Sequence, residues 1–101
     1  MNTLTIIVPC FNEADVLVDF ISTVNLQTHE LPLIKKYLLI NDGSTDDTLD
    51  IMKNLSETFD NIFYLSFSRN FGKEAAILAG LEASDSDFVT IMDADLQDPP
   101  F

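Results

Sequence analysis

Asp93 and Asp95 stand two residues apart, directly after the apolar run Phe88-Val89-Thr90-Ile91-Met92, and Gln97 follows at the same interval. Alternate residues of an extended chain point the same way, so both carboxylates can face one spot. Oxygen ligands clustered like this suit a hard divalent cation, Mg2+ or Mn2+, to which Gln97 could add a neutral oxygen. Pro99-Pro100 cannot continue a central strand and must turn the chain away. An acidic turn that only caps a strand would read the same locally, so the surroundings have to decide.

Three further polar clusters carry chemistry-bearing residues. Asp42 precedes Gly43 in Asn41-Asp42-Gly43-Ser44-Thr45-Asp46-Asp47. Its carboxylate can accept from an N–H of a base or from a ribose hydroxyl, or it can close an Asx turn on its own backbone. Gly72-Lys73 opens a helix, where free N–H groups and a cation can meet a phosphate, although Lys73 alone also reads as a solvated surface lysine. The phosphate-loop spacing Gly-x-x-x-x-Gly-Lys-Ser/Thr is absent. Glu13 is either a first-turn helix acid or a hydroxyl acceptor, while Asp46 and Asp47 read as helix-start acids. Cys10 has no histidine near it in sequence to activate it and reads as a small buried filler. His29 reads as a solvated loop histidine. Neither acidic loop has the ligand alternation of an EF-hand. An aspartyl-nucleophile phosphatase also uses Asp-x-Asp after a strand, but on its first strand and with Thr or Val where this chain has Gln97.

The composition restricts the partners. With 101 residues, 47% of them hydrophobic, the chain has the size and apolar content of one domain. Five basic residues and a formal net charge of -12 cannot neutralise a phosphate backbone, which argues against nucleic acid, and they disfavour electrostatic docking on anionic lipid. An acidic protein that binds an anionic substrate needs a cation between the two. The single cysteine cannot form an internal disulfide, and no Cys/His cluster at zinc spacing occurs. No signal-like start is seen, and no apolar run approaches the ~18 residues of a membrane span. A reducing, cytoplasmic setting is the expectation.

The elements that must position these clusters alternate regularly. Thr3–Val8 is a β-branched strand ended by Pro9. Asn12 is expected to cap a helix carrying Val16, Leu17, Phe20, Ile21 and Val24 at three- and four-residue spacing. A strand over Tyr37–Ile40 leads to a helix capped by Ser44 or Thr45 and marked by Leu49, Met52, Leu55 and Phe59. Ile62–Ser66 is the third strand. The small residues of Ala75-Ala76-Ile77-Leu78-Ala79-Gly80 suit a helix lying close on a sheet, and the Phe88 run is the fourth strand. Short βα alternation with right-handed crossovers predicts an α/β, doubly wound, mostly parallel sheet of order 3-2-1-4. Ligands of such sheets bind beyond the carboxyl ends of the strands, where the winding reverses. All four polar clusters fall there.

Taken together, Val8-Pro9-Cys10-Phe11-Asn12-Glu13, the Asn41–Thr48 segment, Arg69-Asn70-Phe71-Gly72-Lys73 and Asp93–Pro100 resemble the family 2 glycosyltransferases of GT-A fold. The likeness is greatest to the polyprenyl-phosphate sugar transferases, the dolichol-phosphate mannose synthase and bactoprenol glucosyltransferase group. The resemblance implies that Pro9, Phe11, Glu13 and Asp42 hold the base and ribose of a UDP- or GDP-linked sugar. It implies that Asp93, Asp95 and Gln97 hold the metal on the diphosphate. Phe11 stands where Tyr is commoner, and Asn41 where Asp is common, which leaves Asp42 as the better base contact. No catalytic base is evident, since the family places its acceptor-side acid later in the chain. Residues 1–101 are therefore expected to be one nucleotide-sugar-binding subdomain of a longer, metal-dependent transferase. Further segments would hold that transferase at the cytoplasmic face of a membrane, and the fourth strand would present an open edge prone to self-association. The alternative is a stand-alone nucleotide- or metal-binding module that performs no chemistry.

Overall fold

A computed structural model describes residues 2–95. The chain runs β1 (Thr3–Cys10), α1 (Leu17–Thr28), β2 (Ile34–Asn41), α2 (Thr48–Thr58), β3 (Ile62–Ser66), α3 (Lys73–Ala83) and β4 (Phe88–Ile91). The four strands are ordered β3-β2-β1-β4 and every pairing is parallel. This is the predicted 3-2-1-4 sheet, with its winding reversed between β1 and β4.

β1 does not stop at Pro9 but continues through Cys10, which pairs with Asn41. The ladder explains why the proline is tolerated. The carbonyl of Cys10 accepts from Asp42 N on the β2 side, whereas that of Ile7 accepts from Met92 N on the β4 side. By alternation the donor missing at Pro9 faces the β4 side, beyond the last pair Ile7–Ile91, where no ladder bond is needed.

Alternation also divides the core. Ile6, Val8, Cys10, Tyr37, Leu39 and Ile62 pack on Leu17, Phe20, Ile21 and Val24 of α1 and Met52 of α2, and all of them are buried. On the other face Ile7, Leu38 and Ile40 meet Ala76 of α3. The expected close approach is there: a Cβ built on Gly80 would lie 2.6 Å from Cγ2 of Ile7. One helix covers less than two do, so Phe63, Val89 and Ile91 of the flanking strands stay exposed. No helix among the described residues is long and apolar enough to cross a membrane.

Both expected helix starts are displaced. α1 begins at Leu17, with Val16 at the N-cap position and no side-chain cap, so Asn12, Glu13 and Asp15 precede the helix. α2 begins at Thr48 with Asp47 at its N-cap position. The residue that serves the first turn is Asp46, whose Oδ1 accepts from Thr48 N at 2.9 Å, rather than Ser44 or Thr45. Those cap candidates have partners elsewhere. Asn12, in the left-handed region at φ 55, accepts through Oδ1 from Thr45 N at 2.8 Å and Asp46 N at 3.3 Å, and its own N–H donates to Ser44 Oγ at 2.9 Å. A side chain able to cap a helix here bridges two loops.

Candidate functional site

The loops after β1, β2 and β3 and the chain leaving β4 meet at the carboxyl edge of the sheet. They enclose a cleft of about 320 Å³ lined by Pro9, Cys10, Phe11, Glu13, Asp42, Lys73, Asp93 and Asp95. All the expected binding residues except Gly72 line it, and Cys10 joins them. Gln97, the third expected metal ligand, lies outside the described residues.

Asp42 is buried at 3% exposure, and its carboxylate binds a loop some thirty residues further on. Oδ1 accepts from Phe71 N at 2.7 Å, while Oδ2 accepts from Gly72 N at 3.0 Å and from Asn70 Nδ2 at 3.2 Å. The N–H of Gly72 is thus already engaged, not free for a phosphate as the sequence suggested. The Asx-type bond of this turn comes from Asn41 instead, whose Oδ1 accepts from Ser44 N at 3.1 Å while its Nδ2 donates to Ser66 Oγ at 3.0 Å. A carboxylate has about four lone-pair sites, so Asp42 can still offer one acceptor position to the cleft.

Gly43 lets the two loops meet. It sits at φ 69, and a Cβ there would lie 2.2 Å from the carbonyl carbon of Arg69 and 2.3 Å from Asn70 N. Backbone atoms cannot swing aside as a side-chain tip can, so any other residue would force the loops apart.

Charge is concentrated across the cleft. Lys73 Nζ lies 2.6 Å from Oδ1 of Asp93, both side chains being more than half exposed. Burial, and then the carboxylates of Asp95, Asp93 and Asp46, raise the Glu13 carboxyl above its ordinary value. Burial, with Glu13 adding to it, pushes the Cys10 thiol up to about 12. Cys10 therefore lines the cleft without being a nucleophile, since the thiolate is the reactive form. Phe11 is 46% exposed and presents an apolar ring at the rim.

The donor set fits Mg2+ or Mn2+. Among the described residues no group of three or more His, Cys, Asp or Glu side chains is placed to hold a metal by itself. Mg2+ is commonly held by one or two carboxylates together with substrate phosphates, which is what Asp93 and Asp95 beside an open cleft can provide.

A parallel α/β sheet of order 3-2-1-4 with a carboxylate-lined cleft at its switch point has the architecture of part of a GT-A fold. The fold aligns with the mannosyltransferase PcManGT from Pyrobaculum calidifontis, solved in complex with GDP-Man and Mn2+, at TM-score 0.80 and 23% identity over 97% of this chain and 33% of that one. It aligns likewise with S. aureus TarS 1-349 in complex with UDP, at TM-score 0.77 and 22% identity over 92% of this chain and 27% of that one. In sequence, residues 5–100 match Glycosyl transferase family 2, and the chain belongs to that family. It is 41% identical over 96 residues to a bactoprenol glucosyl transferase of Shigella phage SfV, covering 95% of this chain and 31% of that protein. It is 36% identical over 98 residues to an undecaprenyl-phosphate 4-deoxy-4-formamido-L-arabinose transferase of Pseudomonas syringae, covering 96% of this chain and 29% of that protein. The chain thus spans under a third of the length of these relatives.

The sequence did not reveal the interlock of the loops. Asn12 at positive φ, Gly43 against Arg69, and Asp42 holding Asn70 to Gly72 are all contacts between distant segments. A Gly directly after an Asp, and an Asn directly after Phe11, were the available signals, because those residue types tolerate a left-handed backbone.

Proposed function

We propose that this chain is the donor-binding part of a metal-dependent transferase that moves a sugar from a UDP- or GDP-linked donor to polyprenyl phosphate. The observation that carries the reading is the convergence of Asp93, Asp95 and Lys73 with Glu13, Asp42 and Phe11 on one cleft at the switch point of the sheet. The relatives named as a bactoprenol glucosyl transferase and an undecaprenyl-phosphate sugar transferase support the acceptor class. The GDP-Man and Mn2+ bound by the mannosyltransferase of the same fold support the donor and the cation.

In this reading Asp93 and Asp95, with Gln97, hold Mg2+ or Mn2+, which as a Lewis acid stabilises the charge that develops on the leaving diphosphate. Lys73 supplies a second positive group to the phosphates. Phe11 and Pro9 pack against the base, the remaining acceptor position of Asp42 takes a base N–H, and Glu13 takes a ribose hydroxyl. The full enzyme works at the cytoplasmic face of a membrane. Catalysis also requires donor and acceptor in near-attack geometry, a contribution of roughly 7–11 kcal/mol, and no described residue is placed as an acceptor-side base.

The test is a radiolabelled-sugar assay with Mn2+ and undecaprenyl phosphate, run with UDP-glucose and GDP-mannose beside the phage SfV relative. The 101-residue chain is expected to retain one labelled donor in equilibrium dialysis but to transfer its sugar far more slowly than the relative. Retention of neither donor contradicts the reading, and turnover matching the relative's contradicts the division between donor and acceptor parts. The open side of β4, with Phe88, Val89 and Ile91 exposed, is proposed as a self-association edge. Sedimentation equilibrium should then show a dimer that Val89→Lys dissociates, whereas a monomer at all concentrations would refute it.

A further inference from the structure

The ammonium of Lys73 occupies a place that the donor-binding reading reserves for a metal ion. It lies 2.6 Å from Oδ1 of Asp93, a carboxylate assigned to the cation, and it is the one positive side chain among the residues described as lining the cleft. The two side chains are 58% and 56% exposed, so charge rather than burial holds the contact, and it can be exchanged. The root of Lys73 is better fixed than its tip. Lys73 is the first residue of α3, and the N–H of the preceding Gly72 is fastened to Asp42. The ammonium can therefore leave Asp93 while the backbone beneath it stays in place. Glu13 and Asp95 face the same space, so displacing the ammonium without replacing its charge would leave acidic groups opposed.

We propose that Lys73 is an internal counter-ion: it takes up Asp93 until a divalent cation arrives, and it is then handed to the diphosphate that enters with that cation. The inference rests on the donor-binding reading and adds a coupling to it. A cation binding alone has to evict an ammonium that gains no new partner. A cation binding with a nucleoside diphosphate evicts it onto a fresh anion. The two ligands thus assist one another through Lys73, and by linkage each raises the affinity for the other by the same factor. A lysine that touched only the phosphates would oppose nothing when the cation binds alone.

The test is calorimetric, on the 101-residue chain and on two variants, Lys73→Met and Lys36→Met. Lys36 sits early in β2, paired with Asp85 at 3.8 Å, at the opposite end of the sheet from the cleft. It removes the same charge beyond the reach of screened electrostatics. Mn2+ is titrated alone, and then UDP and GDP are titrated at saturating Mn2+. Lys73→Met is expected to bind Mn2+ alone about twofold to fivefold more tightly than Lys36→Met, the range an exposed ion pair allows. It is also expected to bind the preferred diphosphate roughly tenfold or more weakly than the unsubstituted chain. If Mn2+ affinity in Lys73→Met does not exceed that of Lys36→Met while diphosphate binding still needs Mn2+, the counter-ion role is overturned and the donor-binding reading stands. Tighter Mn2+ binding with undiminished diphosphate binding overturns the hand-over. Mn2+ and diphosphate bound by none of the three chains overturns both.

Discussion

Asp42 and Asp93 line one cleft, yet the protein surrounds them in opposite ways. Asp42 is 3% exposed and accepts from two backbone N–H groups and the Asn70 amide of a single loop. Asp93 has a side chain 56% exposed and is met by the exposed tip of Lys73. A buried carboxylate satisfied by fixed donors is part of the framework, since removing it strands those donors. An exposed carboxylate held by an exchangeable ammonium keeps its capacity for a ligand at little cost in stability. The cleft thus has a corner that is built and a corner that waits.

The largest expected effect lies at the built corner. Asp42→Ala leaves the N–H groups of Phe71 and Gly72 without their acceptor, while the Asn70 amide keeps the Asp42 carbonyl, at a cost of about 3 kcal/mol, a large share of a small domain's stability. Urea denaturation should show the loss, and a midpoint unchanged from the parent would mean that the loop holds without Asp42. Gly43→Ala sharpens the same point from the backbone side. Its Cβ would meet the carbonyl carbon of Arg69 at a φ of 69, and about 2 kcal/mol is the expected cost. Stability within error of the parent would show that the two loops can separate freely.

A smaller effect reports on the waiting corner. Burial, followed by Asp95, Asp93 and Asp46, raises the Glu13 carboxyl in the folded state. Between its unfolded and folded values the native chain therefore holds more protons than the unfolded one, and stability falls as pH rises through that window. The penalty is absent below the unfolded carboxylate range and fully present above the folded value. Glu13→Gln should consequently be more stable than the parent near pH 7, with the advantage shrinking as pH drops through the raised folded value and lost by about 4.3. A constant difference across pH would mean that Glu13 does not feel those neighbours.

The sequence disclosed the sheet because each strand is a short apolar run and each connection a single helix, which leaves few topologies. It disclosed the location of the cleft because polar clusters at strand ends are placed by topology alone. It misjudged the helix starts for a physical reason. Asn12 and Ser44 are good caps by type, but capping is a choice among competing partners, and here loops over thirty residues apart provided the partners. The two corners were inseparable for the same reason: the donors that bury Asp42 lie in another loop, whereas nothing in the spacing of Asp93 and Asp95 required a fixed partner.

The central claim is that Asp93 and Asp95 serve a ligand alone, whereas Asp42 holds the fold of the loop as well as facing the base. Calorimetry of UDP and GDP with Mn2+, on the parent chain and on the double variant Asp93→Asn plus Asp95→Asn, tests it most directly when paired with a urea melt of each. The account predicts that the variant unfolds within about 1 kcal/mol of the parent and no longer binds a diphosphate, while the parent binds one only when Mn2+ is present. Equal diphosphate affinity in the two chains, or affinity in the parent unchanged by a chelator, would contradict it.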